Sequence, residues 1–120
     1  GACSFYRTKA IVAVGGYDER YFAYLEDLEL SERLKRKKWK IVYVPKAMLW
    51  HKVSQSSAIG SNLNDYFITR NRMLLASKFL PLRTRFALIR EALRNFNNPQ
   101  RRLALFDFLL GRFGKGSFIK

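Results

Sequence analysis

Three positions carry polar side chains where the apolar pattern leaves little room for them. Asp27 lies three residues before Leu30 and seven before Leu34, on the apolar stripe of a helix predicted from Glu26 to about Lys37. A carboxylate on such a stripe is costly unless it caps the helix, pairs with a cation or is used chemically. The spacing therefore predicts either an N-terminal cap or a general base at the edge of a cleft.

Arg70 and Asn71 interrupt the packing face of a helix predicted over 62–79. Each follows an aromatic residue by four positions, Tyr66 and Phe67 respectively, and therefore lies on the same side of the helix as that residue. A guanidinium held among aromatic rings suits binding of a phosphate or carboxylate. The alternative is a structural arginine paired with a carboxylate in the core.

His51 is the single histidine and directly follows Trp50 at the end of a short apolar stretch. It is either a structural residue or a metal ligand, and as a ligand it would need oxygen or nitrogen partners. The sequence alone does not identify those partners.

Short strands and longer helices are predicted to carry these side chains, which makes the expected fold class α/β. Strands are expected at 4–7 and 40–44, an extended stretch at 48–51, and helices at 26–37, 62–79, 82–96 and 99–113. We predict a first domain at 1–80 and basic amphipathic helices at 81–120.

Composition narrows the partners of the chain. The 120 residues carry a formal net charge of +14 and are 48% hydrophobic, which excludes a disordered basic tail. One cysteine excludes an internal disulfide framework and a cysteine-cluster zinc site. The charge predicts an anionic partner: nucleic acid, anionic lipid or a phosphorylated substrate.

The helix predicted at 82–96 has an apolar stripe with spacings of four, three, four and three residues, and Arg83, Arg90 and Arg94 are expected on its other face. Its stripe consists of Leu82, Phe86, Ile89, Leu93 and Phe96. It either packs in a core or lies on an anionic membrane surface, which makes a non-catalytic membrane-binding module the alternative function. No nucleic-acid-binding motif is present, so nucleic-acid binding is not expected.

Read in order, several short motifs resemble one family. They are Gly15-Gly16-Tyr17-Asp18-Glu19, Glu26-Asp27-Leu28-Glu29-Leu30, Trp39 to Pro45, Trp50-His51-Lys52, Tyr66-Phe67 and Arg70-Asn71-Arg72. Together they resemble the C-terminal half of family 2 glycosyltransferases with the GT-A fold, in the bacterial branch that builds surface polysaccharides, including rhamnosyltransferases. The resemblance covers about residues 1–80.

The resemblance implies a role for each site residue. The catalytic base would be Asp27, together with Glu26. The donor phosphates would be bound by His51, Arg70, Tyr66 and Asn71, and His51 would also lie near a divalent metal (Mg or Mn). The acceptor site would be shaped by Trp50, Tyr17 and Asp18. The implied reaction is inverting transfer from a nucleotide sugar to a hydroxyl of a glycan or lipid-linked acceptor. The implied location is the cytoplasmic face of the membrane.

The sequence departs from the family in one respect, because no Asp-x-Asp metal motif occurs in it. We therefore expect a fragment of a longer enzyme, with the main metal ligands in the missing N-terminal half. Such a fragment is expected to be inactive alone and to self-associate through exposed strand edges and apolar faces.

Overall fold

The computed structural model describes residues 3–50 and 61–119. Five helices occur in these ranges: α1 (Thr8–Val14), α2 (Glu26–Arg36), α3 (Asn62–Phe79), α4 (Leu82–Arg94) and α5 (Pro99–Leu109). The helix predicted at 62–79 is confirmed. The helices predicted at 26–37, 82–96 and 99–113 end one, two and four residues earlier than expected.

Local sequence explains where the helices begin and end. The Ser61 side chain accepts a hydrogen bond from the Asn64 backbone N–H at 3.2 Å and caps α3. Asn98 caps α5 by accepting from the backbone N–H groups of Gln100 and Arg101 at 3.0 and 3.1 Å. Gly15 ends α1 in the left-handed conformation, at φ +76°, which glycine adopts without a steric penalty.

The predicted α/β class was wrong, because residues 3–50 and 61–119 contain helices and no strand. Neither 4–7 nor 40–44 forms a strand, and the side chains of Ile41 to Val44 are each at least 55% exposed. A β-branched run becomes a strand only when a second extended segment accepts its backbone hydrogen bonds. No such partner occurs in the described part of the chain.

Helix α3 is the centre of the packing. Its Tyr66 and Phe67 pack with Ala104 of α5, and its Met73 packs with Ala92 of α4 and with α5. A separate cluster of Ala10, Leu30 and Leu34 joins α1 to α2. The domain division at residue 80 stays a prediction, although α3 packs extensively on the helices that follow it.

Membrane-spanning helices are not found in the ranges 3–50 and 61–119, where every helix is too short or too polar to cross a bilayer.

Candidate functional site

The segment 20–25, which leads into α2, has an unusual backbone. Phe22, Tyr24 and Leu25 have φ values of 58°, 64° and 66°, in the left-handed region that side chains other than glycine rarely adopt. Each such residue costs on the order of 1 kcal/mol, and it persists only where the surroundings impose it. The strained segment ends where Glu26 and Asp27 begin α2.

Asn71, on α3, binds this segment through its side-chain amide. Its side chain is fully buried, and Nδ2 donates to the carbonyl oxygens of Tyr21, Ala23 and Tyr24 at 2.9, 2.7 and 2.9 Å. Because an amide nitrogen has two hydrogens, three acceptors share two donors. One side chain thus satisfies three carbonyl groups of the left-handed segment.

Arg70, the residue before Asn71 on α3, also hydrogen-bonds to this segment. Its guanidinium is fully buried, and Nη2 donates to the carbonyl oxygens of Arg20 and Tyr21 at 3.1 and 3.2 Å. The cation also lies 5.3 and 5.0 Å from the ring centres of Tyr66 and Phe67. Arg70 and Asn71 therefore act structurally on segment 20–25, and the predicted donor-phosphate role of Tyr66, Arg70 and Asn71 stays a prediction.

A core carboxylate completes this cluster. Arg70 Nη1 donates to the Tyr66 hydroxyl at 3.3 Å, and that hydroxyl donates to the buried carboxylate of Asp107. Burial and then the hydrogen bond to Asp107 raise the pKa of Tyr66 to about 12. Burial also raises the pKa of Asp107, but hydrogen bonds from Tyr66 and Ser117 outweigh it and leave that pKa below its ordinary value.

Glu26 and Asp27 occupy the first turn of α2, where the helix dipole favours negative charge. Asp27 is half-buried, and its Oδ1 accepts from the Leu28 backbone N–H at 2.7 Å. Burial raises the pKa of Asp27, and the hydrogen bond from the Leu28 backbone N–H opposes this by lowering it. At neutral pH the carboxylate is therefore ionised and able to accept a proton.

Tyr17 lies close to these carboxylates. A hydrogen bond with Tyr6 raises the pKa of Tyr17 most, and burial and the negative charges of Glu26 and Asp27 raise it further. The structure thus brings together three residues singled out from sequence, Tyr17, Glu26 and Asp27. Tyr6 was missed, since nothing in its sequence context marks it.

Buried polar atoms without a hydrogen-bond partner occur in the same region. Within the described ranges they are the hydroxyl oxygens of Tyr21 and Tyr24 and Oε2 of Glu26. Native structures pair most buried polar atoms, so an unpaired one is a place where water or a ligand group is expected. All three lie between residues 21 and 26.

Asp18 belongs to an ion-pair network. It pairs with Arg20 at 2.7 Å and with Lys78 at 2.9 Å, and Lys78 also contacts Glu29. The hydrogen bond from Arg20 holds the pKa of Asp18 well below its ordinary value, although burial opposes it. The Asp18 carboxylate is thus already paired with two cations, and its predicted acceptor role stays a prediction.

Glu29 and Arg33 lie four residues apart on α2, a spacing typical of ion pairs on an exposed helix face. The pair exists at 2.7 Å, but Glu29 is fully buried, and Arg33 Nη2 also donates to the Gly16 carbonyl oxygen at 2.7 Å. Lys78 had no signal in the sequence. Asp107 had one, because it is an acidic residue inside the apolar run Phe106-Asp107-Phe108.

Trp50 is 96% exposed, so its predicted contact with a sugar stays a prediction. His51 lies outside the described residues, and so do its predicted roles as phosphate and metal ligand. Within residues 3–50 and 61–119, no three His, Cys, Asp or Glu side chains converge in a way that could hold a metal ion. The Mg or Mn site, whose main ligands are expected outside this chain, therefore stays a prediction, and no step below passes through a metal.

Comparison with known proteins relates part of this chain to a sugar transferase. Over 57 residues, 48% of this chain, the sequence is 46% identical to the N-acetylglucosaminyl-diphospho-decaprenol L-rhamnosyltransferase of Mycobacterium tuberculosis, in strains CDC 1551 / Oshkosh and ATCC 25618 / H37Rv. The chain is related to a glycosyltransferase. The match spans 19% of the length of that transferase. No family model matches the chain, and no solved structure matches it.

Proposed function

We propose that this chain forms the catalytic-base part of an inverting glycosyltransferase of family 2, which moves a sugar from a nucleotide sugar to a hydroxyl group of a lipid-linked acceptor in surface-polysaccharide synthesis. The observation that carries the proposal is the 46% identity over 57 residues to a rhamnosyltransferase. The acceptor in the name of that relative is a sugar diphosphate on decaprenol, and the proposal extends this acceptor class to the present chain. A cytoplasmic location is part of the proposal.

The proposed step is a single displacement at the anomeric carbon of the donor. The acceptor oxygen forms a bond to that carbon, the bond to the departing diphosphate oxygen breaks, and Asp27 takes the hydroxyl proton. The half-buried, ionised carboxylate at the start of α2 supports this assignment. The partly unpaired Glu26 carboxylate and the nearby Tyr17 hydroxyl support an acceptor position beside it.

Arg70 and Asn71 enter the proposal as positioning residues. Their hydrogen bonds to the carbonyl groups of Arg20, Tyr21, Ala23 and Tyr24 support a role in holding the segment that leads into Glu26 and Asp27. A base must lie within hydrogen-bond reach of the proton that it removes, so a shift of about 1 Å is expected to slow transfer by up to ~10²-fold.

The test is sugar transfer by membranes from cells that express the complete natural protein. A panel of nucleotide sugars that includes activated L-rhamnose is offered with N-acetylglucosaminyl-diphospho-polyprenol. We expect Asp27→Asn to lower kcat by about 10²–10⁴-fold, with little change in the KM for the donor, because general-base help has this magnitude.

The matched control is Glu32→Gln, which also converts an acid to an amide on α2 but changes a surface carboxylate paired with Lys35 at 2.8 Å. Its turnover should equal that of the parent protein. Unchanged turnover of Asp27→Asn would remove Asp27 from the mechanism, and absence of transfer from every donor by the parent would overturn the proposed function.

A further inference from the structure

Most of the apolar stripe of α4 does not pack in the core. Leu82, Phe86 and Leu93 are 63%, 67% and 53% exposed. The helix packs instead through Ala92, which is buried, and through Leu88 and Ile89, which are partly buried. A row of large apolar side chains thus remains in contact with solvent, and contiguous exposed apolar patches often mark interaction sites.

Helix α5 extends the same surface. Its Phe106 and Leu109 are exposed, as is Leu110 directly after it, and the ring of Phe106 contacts that of Phe96 with centres 6.0 Å apart. A groove of about 280 Å³ opens between the helices. Its lining is Met73, Ser77, Leu82, Arg85, Phe86, Ile89 and Phe108. We call the exposed apolar side chains of Leu82, Phe86, Leu93, Phe96, Phe106, Leu109 and Leu110 the α4–α5 apolar face.

Arginine side chains border this face. At 3.6 residues per turn, Arg83, Arg90 and Arg94 lie roughly 100° around α4 from the stripe, and all three are exposed. The exposed Arg102 of α5 lies 5.5 Å from the ring centre of Phe96. Around its axis, α4 therefore has a buried side, next to it an exposed apolar side, and beyond that a cationic side.

Negative charge is scarce beside the face. The acidic residues after position 80 are Glu91 and Asp107. Glu91 pairs with Arg72 at 2.8 Å, and Asp107 is buried against Tyr66 and Ser117. The surroundings of the face are therefore strongly cationic.

We propose that the α4–α5 apolar face binds the surface of an anionic phospholipid bilayer, with both helices lying in the interface. Phenylalanine and leucine would enter the boundary between headgroups and acyl chains, while arginine side chains a quarter turn away reach lipid phosphates. A second copy of this chain fits less well, because it would bring the same cations against each other. This proposal rests on α4 and α5 and not on the proposed transfer reaction.

Flotation of the 120-residue chain with lipid vesicles tests the proposal. Vesicles contain either phosphatidylcholine alone or phosphatidylcholine with 40% phosphatidylglycerol, at low and high salt. We expect binding to the anionic vesicles that weakens with salt, and at least tenfold weaker binding to the neutral ones. The apolar contacts predict that part of the binding to anionic vesicles survives high salt.

Two variants separate the apolar and cationic contributions. Phe86→Gln with Leu93→Gln changes only exposed side chains, and it should lower vesicle binding by at least tenfold at both salt concentrations. Its control is Val12→Gln, at an apolar position of α1 that is 73% exposed, and this control should bind like the parent chain.

The cationic variant is Arg83→Gln, Arg90→Gln and Arg94→Gln. At ~1 kcal/mol for each cation near an anionic surface, binding should fall roughly 100-fold. Its control removes three exposed lysines elsewhere, Lys9→Gln, Lys37→Gln and Lys40→Gln, and should lose much less. Equal losses in the two triple variants would overturn the proposal.

Two other results would also overturn it. One is the absence of binding to anionic vesicles by a parent chain that circular dichroism shows to be helical. The other is a dimer by light scattering that dissociates in the Phe86→Gln, Leu93→Gln variant, because the face would then be covered by a second copy.

Discussion

At the scale of single residues, the most consequential side chain is Asn71, which makes three hydrogen bonds to one strained segment. It is a positioning residue, since it touches the backbone ahead of Glu26 and Asp27 and not those carboxylates themselves. Buried polar groups of this kind are costly to leave unpaired. The left-handed conformations at 22, 24 and 25 therefore depend on it.

The change Asn71→Asp keeps the size of the side chain and removes its donors. It places a carboxylate against the carbonyl oxygens of Tyr21, Ala23 and Tyr24, and we expect a loss of roughly 3 kcal/mol in the free energy of unfolding. Urea unfolding followed by circular dichroism measures this loss.

Asn97→Asp is the control, because Asn97 is exposed and the same chemical change there should alter stability by less than about 0.5 kcal/mol. If the two variants unfold at the same urea concentration, the hydrogen bonds of Asn71 do not hold the segment.

At the scale of elements, the stretch after α5 returns to α3. Ser117 donates to both carboxylate oxygens of Asp107 at 2.7 and 2.8 Å, and Phe118 stacks on Tyr66 at 5.0 Å. The Gly114 N–H donates to the Arg20 carbonyl oxygen at 2.9 Å. Residues 114–118 thus contact Tyr66 and Asp107, and they contact segment 20–25 as well.

Gly116 is the close-contact point of this stretch. A Cβ atom there would lie 1.9 Å from the Tyr66 hydroxyl and 2.8 Å from Arg70 Nη1, at a φ of +60°. We expect Gly116→Ala to lower the free energy of unfolding by about 3 kcal/mol, because it combines a left-handed alanine with a clash in a packed core.

Gly111→Ala separates the two causes. Gly111 has a φ of +69°, and a Cβ there would meet nothing within 4 Å, so only the conformational cost of about 1 kcal/mol is expected. Thermal unfolding should rank the parent first, Gly111→Ala second and Gly116→Ala last. A Gly116→Ala variant as stable as Gly111→Ala would show that the stretch does not pack on Tyr66.

At the scale of the whole molecule, one ion-pair network joins distant parts of the chain. Asp18 precedes α2, Glu29 and Arg33 lie on α2, and Lys78 lies near the end of α3. Because Lys78 contacts both carboxylates, loss of the network should remove an ionic link between α2 and the end of α3.

The network predicts a pH dependence of stability. Arg20 and Lys78 lower the pKa of Asp18 below its ordinary value of 3.8, so the ionised form stabilises the fold above that pH. This contribution is lost as the pH falls through the lower, folded-state pKa. We expect Asp18→Asn to cost about 2 kcal/mol at pH 7 and to unfold progressively more like the parent chain below pH 4.

Urea titrations at pH 7, 5 and 3 measure this difference. Glu19→Gln, at an exposed position beside Asp18, is the control and should leave stability unchanged at pH 7. A stability gap between the parent and Asp18→Asn that stays constant from pH 7 to pH 3 would contradict the assignment.

The sequence by itself determined the features that depend on near neighbours along the chain. The helices could be predicted because the Ser61 and Asn98 caps and the helical spacing of 62–79 involve residues only a few positions apart. The excess of positive charge after residue 80 can be counted directly from the sequence. The order of short motifs also pointed to a glycosyltransferase, which the rhamnosyltransferase relative supports over 48% of the chain.

Only the tertiary structure decided which side chains are buried and which segments find partners. Glu29 is buried because Lys78, 49 residues away, reaches it, and Phe86 is exposed because Ala92 faces the core instead. Residues 40–44 have a strand-like composition but no neighbouring strand within the described residues. Ion pairing, core packing and strand pairing join residues far apart in sequence, and a local pattern carries no information about those partners.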